Sequence, residues 1–188
     1  ILSDGMGTGS TAATQSESVI KILELYIKSG IEISAAVSTV NMMLTTKNSE
    51  VLTSSVDVCC INRHSKIAGF VKMGAVPSVI IGKDNVRAVE INRPPAGVSA
   101  ELEEASCKIT ECDVSDDIAI VMFTDGVYDA FSNGGVNKRV FFEYIATIVR
   151  KNSKDNNGAE LVAKEIINKT QSFSSNADDM SVIVLYLH

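Results

Sequence analysis

The sequence has no tryptophan and only two histidines, His64 and His188, so a histidine-rich metal site is excluded by count. It also lacks an excess of basic charge. Lys and Arg number 17 against 23 Asp and Glu, a net charge of -6 over 188 residues. Broad binding to nucleic acid or to an anionic membrane needs a basic face, so this balance argues against both. No apolar run reaches the roughly 18 residues that a membrane-spanning helix needs. Cysteine is sparse: Cys59, Cys60, Cys107 and Cys112 form no C-x-x-C pair. The adjacent Cys59 and Cys60 would point to opposite faces of a strand, which makes them poor partners for each other. All four read as buried free thiols in a reducing cytosol.

What is present is a globular composition, 45% apolar and 21% charged, of a length that fits one domain over residues 1–188. Ile1 and Leu2 read as the tail of a strand running straight into Ser3-Asp4-Gly5, so a fragment of a longer protein is expected. After Gly9 the apolar residues Val19, Ile20, Leu23 and Ile27 recur at helical spacing, and Ser29-Gly30 ends that helix. Ile33, Ala36, Val37, Val40 and Leu44 share the face of a second helix. The period then shortens. Val56 to Ile61, Ile67 to Met73, Val79 to Ile81, Val86 to Ile91, Cys107 to Cys112 and Ile118 to Thr124 read as strands, the first two joined by a hairpin loop at Asn62-Arg63-His64-Ser65. The run Ile118 to Phe123 has no polar face, as expected of a strand buried on both sides. Helical spacing returns around Val140 to Ile148 and Ala159 to Ile166, and a strand from Ser181 to Leu187 closes the chain. Two helices, antiparallel strands, two helices and a last strand predict an α+β layered sandwich.

Three aspartates share a setting. Asp4 and Asp125 each follow a strand end and precede a glycine, and Asp178 opens the final strand beside Asp179. Taken singly, an Asp-Gly after a strand is usually a turn. Three such sites in one domain point further, because carboxylates at strand ends suit hard divalent cations. With no His or Cys nearby, magnesium or manganese is favoured over zinc. Gly5, Gly7 and Gly9 before a helix could cradle a phosphate, but they match neither G-x-G-x-x-G nor the P-loop. Asp113, Asp116, Asp117 and Asp129 read as turn or cap residues, and His64 as a solvent-facing loop residue. Asp57 faces an otherwise apolar run and is assigned no role.

Ser3-Asp4-Gly5-Met6-Gly7, followed by Glu17-Ser18 in a helix, resembles the opening of the metal-dependent type 2C (PPM) serine/threonine protein phosphatases, in the branch of the stage II sporulation phosphatase. Lys72 to Ser78 resembles that branch's strand and loop in mid-domain, Thr124-Asp125-Gly126-Val127 its second metal motif, and Asp178 to Val182 its last. The matches come in family order along the whole chain. The resemblance implies an α-β-β-α sandwich of two antiparallel sheets flanked by helices, lacking the family's first strands. It implies hydrolysis of phosphoserine by a water bridging two divalent ions, manganese or magnesium. Asp4 would bridge both ions, the Gly5 carbonyl would help hold one, and Asp125 and Asp178 would ligate the other. The family places this last ligand at the first acid of its pair, hence Asp178 over Asp179. It also has an earlier hairpin with another acidic ligand, which this chain starts after.

The same resemblance implies a phosphorylated anti-sigma-factor antagonist as substrate, in the control of sigma-factor activation during sporulation. It further implies a cytoplasmic domain of a membrane-anchored parent, without direct membrane contact by this chain, and leaves a homodimer open. The two N-terminal helices, attached directly to Asp4, act as a switch in the resembling branch. A non-catalytic regulatory module that keeps the phosphatase fold and binds a partner is the alternative. A haloacid-dehalogenase-type hydrolase would need Asp-x-Asp, which neither Asp-Gly site provides.

Overall fold

The computed structural model describes residues 1–5, 10–46, 53–99, 107–173 and 178–187. The chain divides into two compact units, residues 1–75 with 91–113 and residues 76–90 with 114–188. Each is built around one four-stranded antiparallel sheet with helices against one face. The α+β class with two antiparallel sheets and flanking helices is the one expected.

In the first unit, strand order is β1-β2-β3-β6, with β1 Leu2–Gly5, β2 Ser54–Asn62, β3 Ile67–Met73 and β6 Thr110–Asp113. The helices α1 Ser10–Lys28 and α2 Ile33–Thr45 follow β1 directly. Val56 and Val58 on β2 and Val71 and Met73 on β3 project alternately to one side, as strand geometry requires. They meet Val19 and Leu23 of α1 and Ala36, Val37, Val40 and Leu44 of α2 in one apolar cluster. These are the helical positions that the 3.6-residue spacing picks out. Past Gly30, the Ile31 N–H caps the Tyr26 carbonyl at 3.0 Å and closes α1 where expected. The β2–β3 hairpin also forms, with the Asn62 side chain accepting from the amides of His64 and Ser65.

The intervening positions of β2 and β3 carry Asp57 and Lys72, cross-strand partners that are both buried and joined as an ion pair. Burial holds the Lys72 ammonium below its ordinary pKa, and Asp57 opposes that shift.

In the second unit, strand order is β5-β4-β7-β8, with β4 Ser78–Gly82, β5 Val86–Val89, β7 Asp117–Phe123 and β8 Val182–Tyr186. Ala119 to Phe123 are all buried, as the unbroken apolar run predicts. Ala119, Val121 and Phe123 pack with Phe131, Phe141, Ile145, Val149, Val162 and Ile166. Those partners lie on three helices: α3 Asp125–Asn133, α4 Lys138–Asn152 and α5 Gly158–Gln171.

Several details differ from expectation. The helix α3 is not anticipated by periodicity, because its nine residues carry only Val127, Ala130 and Phe131 at helical spacing and open on Asp-Gly, a turn signal. The strand expected over Cys107 to Cys112 spans Thr110–Asp113, and the one from Val86 stops at Val89. Only Cys107 is fully buried, while Cys59, Cys60 and Cys112 are half-buried; all four are free thiols. His64 is exposed in its loop as expected, whereas Gly7, Gly9 and His188 lie outside the described residues. Among the described residues, no helix is long and apolar enough to cross a membrane.

Candidate functional site

In the first unit, Asp4 lies near the end of β1, opposite Ser55 of β2. The strand end is held by serines. The Asp4 N–H donates to Ser55 Oγ at 3.0 Å, and the Asp4 carbonyl accepts from Ser54 Oγ at 2.8 Å. Gly5 ties the strand to α1: its N–H donates to Ser16 Oγ at 2.6 Å, and Ser16 Oγ donates to the Ala12 carbonyl at 3.0 Å. A Cβ at Gly5 would sit 2.5 Å from the Ala12 carbonyl oxygen, so only glycine allows this approach. Strand alternation puts Asp4 on the same face of the sheet as Ser55, Asp57 and Lys72, opposite to the face that packs on α1 and α2.

In the second unit, β7 ends at Phe123, Thr124 precedes the helix, and Asp125 is the first residue of α3. A carboxylate is favoured there by the helix dipole. Asp125 Oδ1 accepts from the Gly126 N–H at 3.0 Å, and Asp178 Oδ1 likewise accepts from the Asp179 N–H at 3.0 Å. Each carboxylate retains acceptor capacity beyond that one bond. The segment bearing Asp178 lies against the start of α3. The Thr124 N–H donates to the Ser181 carbonyl at 3.1 Å, and a Cβ at Gly126 would come within 2.5 Å of the Asp179 carbonyl oxygen.

Asp129 sits one helical turn after Asp125, so both side chains share a face of α3. Burial pushes its carboxyl up from the ordinary 3.8, and the negative charges of Asp125 and then Asp178 push it further in the same direction. Asp125 and Asp178 are therefore both within electrostatic reach of Asp129. Sequence reasoning treats Asp129 as a turn or cap residue, and the signal that could have placed it is the four-residue step from Asp125. Of the other three acids read as turn or cap residues, Asp116 lies in the turn between β6 and β7, whereas Asp113 closes β6 and Asp117 opens β7 and pairs with Arg87.

The donors fit a hard cation. They are carboxylate oxygens, the donor type that magnesium and manganese take. Among the described residues, no three His, Cys, Asp or Glu side chains gather within reach of one ion. Magnesium tolerates that, because it is usually held by one or two carboxylates and keeps several waters. Of the four residues expected at the site, Asp125 and Asp178 come together in the second unit, while Asp4 and Gly5 belong to the first.

Two antiparallel sheets with helices arranged in this order form a PP2C-type phosphatase domain fold. The PP2C phosphatase domain of SpoIIE from Bacillus subtilis, solved with a fragment of its regulatory domain, matches with a TM-score of 0.76 and 26% identity, over 97% of this chain and 52% of that one. The family model for Stage II sporulation protein E (SpoIIE) matches residues 1–188, and the chain belongs to that family. A further structure of the phosphatase domain of SpoIIE from Bacillus subtilis, presoaked with Mn, matches with a TM-score of 0.55 and 22% identity over 97% of this chain and 74% of that one. Stage II sporulation protein E of Bacillus subtilis (strain 168) is 27% identical over 98% of the chain, and that of Priestia megaterium 24% over 99%. The chain spans 21% and 31% of the length of these two relatives.

Proposed function

We propose that this chain is the catalytic part of a protein serine/threonine phosphatase that hydrolyses phosphoserine with the aid of two divalent ions, manganese or magnesium. Asp4, the Gly5 carbonyl, Asp125 and Asp178 would be their ligands, as the family likeness implies. When bound, such a pair activates water for attack on phosphorus and neutralises charge on the phosphoryl and leaving-group oxygens. The residues of the chain supply the rest. Asp125 and Asp178 are anchored by their own neighbouring amides, which fixes each carboxylate relative to its backbone. No side-chain nucleophile is needed.

The observation that supports this reading best is the pairing of Asp125 with Asp178 on two elements packed together at Gly126. The substrate we propose is a phosphorylated anti-sigma-factor antagonist, whose dephosphorylation would control a sigma factor during sporulation. The domain would act on the cytoplasmic side of a membrane-anchored parent. Regulation would run through α1 and α2, since Ser16 of α1 is bonded to the residue next to Asp4.

Hydrolysis of p-nitrophenyl phosphate with and without manganese tests the reading, on this chain and on one extended upstream. Activity should require the metal. Asp125→Asn should lower it by more than the roughly 10–100-fold typical of residues one step removed from a metal. Metal-dependent hydrolysis that survives Asp125→Asn, or no hydrolysis by either chain, would contradict it. The second outcome leaves a non-catalytic, partner-binding module as the better account.

A further inference from the structure

Thr124 is nearly buried and its side chain is not used as an N-cap of α3, although it occupies the N-cap position. Its hydroxyl is engaged elsewhere. Thr124 Oγ1 donates to the Asp179 carbonyl at 3.1 Å and accepts from the Ser181 N–H at 3.0 Å. A hydroxyl has one proton to give and lone pairs to receive, so both bonds form at once. The Thr124 N–H adds a third bond, to the Ser181 carbonyl. One residue thus grips the chain on both sides of Met180, immediately after Asp178 and immediately before Asp125.

We infer that Thr124 is a positioning residue: its hydroxyl clasps the Asp178–Ser181 segment to the start of α3 and so sets the separation of the Asp125 and Asp178 carboxylates. The inference rests on the proposal that these two carboxylates ligate a divalent ion. The segments bearing the two carboxylates pack closely at Gly126, where an added Cβ would lie 3.2 Å from the Asp178 carbonyl oxygen, so without a cation the like charges oppose the approach. A part-buried pair of hydrogen bonds holds them there in advance. The ion then meets a preformed pair and does not have to assemble it. Gly126 cooperates, because only a residue without a Cβ lets the Asp179 carbonyl come so near.

The test compares Thr124→Val, which keeps the shape and removes the hydroxyl, with Thr124→Ser, which keeps the hydroxyl. Two quantities are read on the 188-residue chain. One is amide hydrogen exchange at Ser181 in EDTA, and the other is manganese affinity from the free-ion electron paramagnetic resonance signal. Thr124→Val should speed exchange at Ser181 and weaken manganese binding by about 10-fold or more, the scale of an outer-shell loss. Thr124→Ser should restore both to within about threefold of the parent. If the Val variant fails to fold, Thr124→Cys, whose thiol bonds weakly, should show the same two changes in smaller measure.

Faster exchange with unchanged manganese affinity would overturn the inference, since the clasp would then be structural only. Unchanged exchange would overturn it as well. A different failure is recognisable separately. If Asp125→Asn binds manganese as tightly as the parent, the ligand assignment itself is wrong, and the inference falls with it.

Discussion

The Cys59 thiol is pushed up to about 12 by burial, with the neighbouring Asp57 charge adding to the shift. In the unfolded chain the same thiol ionises near 9.0. The folded protein therefore holds a proton that the unfolded chain releases, and the stability this group contributes is lost as pH climbs from 9 toward 12. Lys72 works the other way, because its folded-state pKa is lowered and its unfolded form binds the proton more tightly. The variant Cys59→Ala isolates the first effect. In urea titrations, its stability deficit relative to the parent should be about 1 kcal/mol smaller at pH 10 than at pH 9. A deficit independent of pH would show that the thiol is not held protonated. Asp4, Asp125 and Asp178 were marked in the sequence as candidate ligands because three aspartates at strand ends recur in one chain. Asp129 and Thr124 were not, since their roles depend on a helix and on a contact 55 residues away.

Among the elements, β2 and β3 carry the ion pair with the largest energetic stake. Lys72 and Asp57 are cross-strand neighbours, and the Lys72 side chain is fully buried. Lys72→Met would leave the Asp57 carboxylate buried beside a thioether, and breaking a buried pair this way costs about 3–5 kcal/mol. Replacing both, with Asp57→Leu alongside Lys72→Met, should cost much less than the two single changes added together. Thermal or urea unfolding of the four proteins measures the coupling, and additive losses would contradict it. The long elements could be read from spacing alone. In α1, α2, α4 and α5 the apolar stripe repeats over three or more turns, and β7 shows an unbroken buried run. By contrast, α3 has too few apolar positions to announce itself. It forms because Val127 and Phe131 find a place in the apolar cluster with Phe123 and Phe141. Tertiary packing decides there, not the local pattern.

On the scale of the whole molecule, the chain forms two units, each with its own four-stranded sheet and its own candidate aspartates. The first brings Asp4 to a strand end braced by Ser54 and Ser55 and coupled to α1 through Ser16. The second brings Asp125 and Asp178 together around Thr124. The fold class was readable from the order of elements, and the family from motifs spread over the whole chain. The division into two units was not readable, because the chain passes between them at residues 75–76, 90–91 and 113–114 without any change of composition to mark it. The central claim is that these aspartates grip divalent ions. Isothermal titration of manganese into the parent chain, Asp4→Asn, Asp125→Asn, Asp178→Asn and the double variant of Asp125 and Asp178 tests it most directly. Binding should weaken in each single variant and be lost in the double variant, whereas manganese uptake by the double variant equal to that of the parent would contradict the account.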